Sequence, residues 1–467
     1  MAGTRPLSGF PEWSPAGRLV ERHVLDILRG QFALHGFLEI ETRAVEPLEQ
    51  LLRKGETSKE VYVLRRLQEL QASVPVPTGN TAESVPQPTL GEGLDPKMLG
   101  LHFDLTVPLA RYVLEHSNRL EFPFKRYQIQ KVWRGERPQD GRFREFTQAD
   151  LDVIGQGELP FHYEVELPLV MAEALAALRV GSFKVLVNNR KLAQGFYQGL
   201  GISDVDVVLR GIDKLDKIGP SAVAAVLQGE GLTQQQAAAC LELAQISGDD
   251  AAQVVPAVRR LAAAHGAEGD LLDQGLEELA GLLEAAAVRL PGTVVADLKI
   301  ARGLDYYTGS VYETLWVGQE SLGSVCSGGR YDSLAADRGR TYPGVGLSIG
   351  VSRLVSRILA LDLLVPSRVS PAVVVVAVGQ EADRAASDQV AATLRSRGIA
   401  AEVAPTAAKF GKQIRYADRR GIPYVWFPGP VDQVKDIRSG EQAEAEATTW
   451  RPPAADLVVG FTDSQGA

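Results

Sequence analysis

The segment from Phe124 to Asp152 constrains the fold more than any other part of the chain. Two strand-like runs flank a loop that holds Pro138, Asp140 and Gly141, so the segment predicts a long β-hairpin. A strand's period of two puts Phe146, Gln148, Asp150 and Asp152 on one face. Between Arg119 and Glu145, eight basic residues meet four acidic ones, a local charge of +4. A cationic hairpin that ends in acidic groups suits a ligand with phosphates at one end and a cation at the other. An ordinary solvated hairpin with a charged face is the competing reading at this point.

The rest of the chain fixes the class. At 467 residues it should hold two or three domains. Val20, Val24, Ile27 and Leu28 give a helix over Arg18–Leu34, and Phe37–Thr42 alternates as a strand running to Pro47. Leu67–Met98, with five prolines and three glycines, reads as a loop or a partly disordered insertion. Short strands and turn signals over Leu101–Gly155 predict an antiparallel sheet. Leu167–Leu178 is helical, and Ser203–Arg289 is an Ala-, Leu- and Gln-rich helical block set between sheet-forming segments. Past a linker near Val365–Pro371, the run Val373–Val378 predicts a strand buried on both faces. The βαβα alternation after it marks a small α/β domain with a mostly parallel sheet.

Composition narrows the chemistry. Cys240 and Cys326 are too few for a disulfide framework, which fits a reducing cytosol. Six scattered histidines lack metal-ligand spacing, so no protein-held metal centre is expected. No stretch approaches a bilayer span, and Met1–Pro15 lacks the apolar core of a secretory signal, so no membrane association is expected. A formal charge of −9 argues against a polyanionic partner for the chain as a whole. Local charge says otherwise: Arg395–Arg438 carries +5.

Four further clusters carry polar chemistry. They are Leu101–Arg111, with Asp104 and Thr106 on one face if it is a strand; Ala301–Gly309; Gly323–Asp332; and Gly344–Leu354. The last has neither the lysine of a P-loop nor the Rossmann glycine pattern, which disfavours dinucleotide binding.

The order of these segments resembles the histidyl-tRNA synthetases. Arg134–Gln139 followed by Gly141–Gln148 is similar to motif 2 of that class II family. Arg302–Gly309 and Gly328–Asp332 look like its two histidine signatures. Gly346–Leu354 resembles motif 3, Arg22–Pro47 fits the looser motif 1, and Phe410–Pro423 is similar to the anticodon-binding domain. The resemblance implies an α/β chain with an α+β catalytic core, an antiparallel class II sheet with helices. The core would occupy residues 1–370, with the 67–98 loop and a helical insertion at 203–292, and the anticodon-binding domain 371–467.

The same resemblance implies a reaction and assigns roles. L-Histidine and ATP, with Mg²⁺ on the nucleotide, would form histidyl-adenylate and pyrophosphate, and the histidyl group would pass to the 3′ end of tRNA(His). Arg134 and Arg302 would flank the α-phosphate as catalytic groups, two fixed forks better suited than lysines. Arg353 would hold the γ-phosphate, and Glu136, Arg142 and Phe143 the adenine. Asp104, Thr106 and Gln148 would receive the α-ammonium. Asp152 and Tyr307 would read the imidazole, with Tyr306 and Arg330 nearby. Lys409, Lys412, Arg415, Arg419 and Arg420 would meet tRNA phosphates. A cytoplasmic homodimer is expected, since motif 1 builds dimer interfaces in this class.

The chain departs from the pattern at His102-Phe103-Asp104, where many members carry Arg-Pro-Glu, so the carboxylate is one methylene shorter. Either the pocket tightens or a water bridges the gap. The alternative within the fold is a non-catalytic protein, the synthetase-like regulatory subunit of ATP phosphoribosyltransferase or a tRNA sensor. The first is disfavoured because both the Arg-Gly-Leu-Asp-Tyr-Tyr signature and the C-terminal domain are kept, the second because the Arg134/Arg302 pair is intact.

Overall fold

The structure is a computed structural model that describes residues 6–52, 60–66, 98–301, 307–333, 335–337 and 339–463. The expectation for the Leu67–Met98 loop lies outside these residues except at Met98, as do those for Arg302 and Tyr306. The chain divides into two compact units. One holds Val24–Ser356 with the stretch ending at Pro11, and the other holds Glu12–His23 with the chain from Arg357 onward.

Among the described residues, the first unit is built on a nine-stranded sheet. Its strands are β1 (Leu38–Glu39), β2 (Phe124–Trp133), β3 (Glu145–Ile154), β4 (Phe183–Asn189) and β5 (Ser247–Gly248). They continue with β6 (Val294–Asp297), β7 (Ser310–Trp316), β8 (Cys326–Tyr331) and β9 (Gly344–Gly350). The spatial order is β1-β2-β3-β9-β8-β7-β4-β6-β5. Neighbours run antiparallel except for the parallel pairs β1 with β2 and β4 with β6. The β2–β3 hairpin is paired from Phe124 opposite Ile154 to Trp133 opposite Glu145. Val132, Leu151 and Val153 are fully buried, each contributing about 1.5–3 kcal/mol. Gly141, at φ +66°, supplies the left-handed turn that closes the connecting loop.

Two expectations near this sheet need correction. Thr106–His116 is a helix, so Asp104 and Thr106 do not share a strand face. Val107, Leu109 and Val113 are buried along it, Pro108 sits in the tolerant first turn, and Asp104 Oδ1 accepts from Val107 N at 3.1 Å. Phe37–Pro47 is likewise not one strand. Val45–Pro47 pairs with Leu99–Leu101 in a separate three-stranded sheet, so the chain changes sheets after β1.

The Ser203–Arg289 block is helical apart from β5, ending in the long helix Asp270–Arg289. Its seat against the helix Arg190–Gly199 depends on two glycines. A Cβ on Gly195 would meet Leu272 N at 2.4 Å, and one on Gly275 would meet Leu192 N at 2.2 Å.

The second unit carries a five-stranded sheet of β10 (Val374–Val376), β11 (Ala401–Val403), β12 (Tyr424–Phe427), β13 (Gln433–Asp436) and β14 (Gln442–Glu444), in the order β11-β10-β12-β13-β14. Val374–Val376 is completely buried, as its unbroken β-branched run predicts. The sheet is mixed rather than mostly parallel. The helices Arg384–Ser396 and Phe410–Arg419 make the crossovers that parallel pairing requires, whereas short turns after β12 and β13 produce antiparallel pairs.

Candidate active site

A cavity of about 420 Å³ opens over the face of β3, β9 and β8, and it is chemically polarised. The hairpin loop supplies one end with Arg134, Glu136, Arg142 and Phe143, joined by Arg353 from the helix that follows β9. Further along the strands the cavity holds Gln148 and Asp150, and Asp104, Thr106 and Tyr307 line it as well.

The basic end is held in place by backbone carbonyls and an aromatic face. Arg134 donates Nε to Phe103 O at 3.0 Å while its guanidinium lies 5.2 Å from the centre of the Phe146 ring, so the fork has a fixed plane. Arg353 donates Nε to Gly141 O at 3.1 Å and Nη1 to Ser324 O. Arg142 faces Glu136 at 4.0 Å, a loose pair at the solvent edge. Glu60 adjoins this group: its carbonyl accepts from Gly135 N at 2.8 Å and its carboxyl shares a hydrogen bond with Glu136. Burial raises its pKa against the pull of Arg134.

The acidic end is more deeply buried. Asp150 sits opposite Ser348 across the β3–β9 ladder and accepts its hydroxyl proton, and Gln148 donates Nε2 to Ser348 Oγ at 2.5 Å. Burial pushes the Asp150 carboxyl up to about 7, against the opposing pull of Arg126 and with the repulsion of Asp152 adding to the rise. Cys326, on the cavity wall, has its thiol held well above the usual range by burial. His102 packs beneath the hairpin with Nε2 at 2.7 Å from Lys131 O, and burial lowers its pKa.

Glycines make the floor possible. A Cβ on Gly328 would meet Gly346 O at 1.9 Å, and one on Gly346 would meet Asp152 Oδ1 at 1.9 Å.

The cavity brings together Asp104, Thr106, Arg134, Glu136, Arg142, Phe143, Gln148, Tyr307 and Arg353. Asp152 and Arg330 lie behind its lining. Asp152 pairs with the fully buried Arg126 at 2.6 Å and accepts from Tyr331 OH at 2.9 Å. Arg330 is held by Glu164 at 2.8 Å and Asp332 at 3.1 Å. In the second unit, Lys412, Arg415 and Arg419 lie on the exposed side of the helix Phe410–Arg419, opposite buried Gln413 and Ala417, with exposed Lys409 and Arg420 at its ends. Asp150, Ser348, Tyr312, Glu313 and Cys326 also line the cavity; the sequence placed Asp150 on the Gln148 face, and Cys326 and Ser348 in polar clusters, but assigned none of the five a role in the site. The period of β3 gives Asp150 its face; the roles of the others depend on which strands become neighbours.

An antiparallel sheet bearing a hairpin arginine and a second arginine just after a neighbouring strand is the catalytic architecture of class II aminoacyl-tRNA synthetases. The family description "Histidyl-tRNA synthetase" matches residues 90–354, and "Anticodon binding domain" matches residues 372–447. The chain is 57% identical to the histidine–tRNA ligase of Bifidobacterium longum over 98% of each chain. It is also 57% identical to the histidine–tRNA ligase of Micrococcus luteus, again over 98% of each. The crystal structure of histidyl-tRNA synthetase from Nostoc sp. PCC 7120 superimposes with a TM-score of 0.80 at 34% identity, over 96% of this chain and 98% of that one. The chain belongs to the histidyl-tRNA synthetase family, whose members are ATP-dependent aminoacyl-tRNA synthetases. No helix among the described residues is long and apolar enough to cross a membrane.

Proposed function

We propose that the protein is a histidine–tRNA ligase that activates L-histidine with ATP and esterifies tRNA(His). The observation that carries this reading is the polarised cavity, with fixed guanidinium groups at one end and buried acceptors at the other. Such a site accommodates a triphosphate and an amino acid's ammonium in line. The histidine carboxylate oxygen attacks the α-phosphorus and pyrophosphate leaves; a terminal ribose hydroxyl of the tRNA then attacks the acyl carbon and AMP leaves. Arg134 and Arg302 stabilise the charge gathering on the α-phosphate. Arg353 takes the γ-phosphate, while Glu136, Arg142 and Phe143 take the adenine. Mg²⁺ enters on the nucleotide as part of that substrate.

Asp104, Thr106 and Gln148 receive the ammonium, and Tyr307 reads the imidazole, with Tyr306 assigned to histidine as well. Asp152 and Arg330 support that pocket from behind, Asp152 through Tyr331. Lys409, Lys412, Arg415, Arg419 and Arg420 meet tRNA phosphates. Residues 1–370 form the catalytic core with the 203–292 insertion, and 371–467 form the anticodon-binding domain. A cytoplasmic homodimer completes the reading, supported by exposed Leu34, Leu38, Leu52, Val63, Leu64 and Leu99 on and beside the motif 1 segment. The non-catalytic alternatives are disfavoured by identity to ligases along nearly the whole chain. The likeness to an ATP phosphoribosyltransferase regulatory subunit/histidyl-tRNA synthetase from Bacillus halodurans, at 18% identity, concerns the fold alone. Histidine-dependent exchange of pyrophosphate into ATP tests the proposal.

A further inference from the structure

Gln148 is nine-tenths buried, yet its Oε1 has no hydrogen-bond partner among the described residues. A buried carboxamide oxygen left open at a cavity wall costs free energy unless a ligand satisfies it. Its orientation follows from one proton. Ser348 has a single hydroxyl hydrogen, and that hydrogen goes to Asp150 Oδ1. Towards Gln148 the hydroxyl can therefore only accept, so Gln148 must turn its NH₂ to Ser348 and its oxygen away.

The backbone makes this chain rigid. Ser348 and Asp150 are directly opposed across the β3–β9 ladder, and Gln148 stands opposite Gly350, where no side chain competes.

We infer that Asp150 and Ser348 form a positioning relay that locks the Gln148 carboxamide with its oxygen facing the amino-acid end of the cavity, so that the site selects a protonated α-ammonium. This rests on the proposed ligase function. Neither relay residue touches the reacting atoms. Each acts by denying Gln148 the flipped orientation, in which an NH₂ group would face the incoming cation.

The test uses the full-length protein and Ser348→Ala in pyrophosphate exchange. Histidinol, which keeps the ammonium, and 3-(imidazol-4-yl)propionate, which lacks it, serve as inhibitors. A lost hydrogen bond to a charged group predicts that the KM for histidine and the Ki for histidinol rise together by about tenfold. The KM for ATP, kcat and the Ki for imidazolepropionate should stay within about threefold. Ser348→Thr, which keeps the hydroxyl, should restore ammonium selectivity. The relay is overturned if Ser348→Ala leaves both ammonium-bearing ligands unaffected, if it weakens imidazolepropionate and ATP equally, or if Ser348→Thr fails to rescue. Wild-type protein without histidine-dependent exchange overturns the underlying function instead, and the relay with it.

Discussion

Arg353 Nε donates to the carbonyl of Gly141 at 3.1 Å, tying the helix after β9 to the tip of the β2–β3 hairpin. Residues more than two hundred positions apart thus close the phosphate end of the cavity together.

Gly141→Ala tests that closure. The position has φ +66°, and an added Cβ would lie 2.7 Å from Leu322 Cδ1 and 3.2 Å from Arg353 Cγ. Backbone strain of about 1–2 kcal/mol and displacement of Arg353 should raise the KM for ATP by about tenfold, with the KM for histidine little changed. Steady-state exchange kinetics check both values.

Arg134→Lys should fail despite keeping the charge. A lysine has no planar fork with which to bind Phe103 O and lie over Phe146 at once, so the phosphate loses a fixed partner. Single-turnover adenylate formation should slow by about 10²–10³-fold.

Asp150 should produce a pH dependence. Arg126, Asp152, Ser348, Asp104 and Cys326 surround it, and burial pushes its carboxyl up to about 7. An ammonium ligand favours the carboxylate, so the KM for histidine should rise as pH falls through about 7. Asp150→Asn should lose that step, leaving only the titration of histidine itself. The same rise in pKa fixes the sign for stability. The folded state holds this proton more tightly than the unfolded chain, so the contribution of Asp150 to stability falls as pH climbs from the ordinary carboxylate range to about 7. Asp150→Asn should flatten that part of the Tm profile.

Asp152→Ala should unfold the protein more readily. It removes the carboxylate paired at 2.6 Å with fully buried Arg126 and leaves only the more distant Asp150 to offset that charge, at a cost of about 3–5 kcal/mol. Chemical denaturation measures this directly. Unchanged stability would show that Arg126 finds another partner.

Charge reversal at Lys412 and Arg415 should impair aminoacylation while sparing exchange, because the exchange reaction requires no tRNA. If both residues contact phosphates, the slope of log affinity for tRNA against log salt should fall by about two.

Much of this was legible in the sequence because it is local. The hairpin, the common face of Gln148 and Asp150, the buried Val374–Val376 strand and the exposed basic helix all follow from periodicity and turn residues. What was missed depends on which distant segments become neighbours. Ser348 gains its meaning only when β9 pairs with β3, and Thr106–His116 was misread because its apolar spacing suits either a strand or a helix over so short a run. Asp152 shows the limit of face assignment. It shares a face with Gln148 but lies deeper, where Arg126 and Tyr331 engage it.

The central claim is tested most directly by pyrophosphate exchange into ATP with the purified full-length protein, supplied with each of the twenty amino acids in turn. Exchange dependent on L-histidine and abolished by Arg134→Ala is the predicted result. Absence of exchange with histidine, or equal exchange with another amino acid, would contradict it.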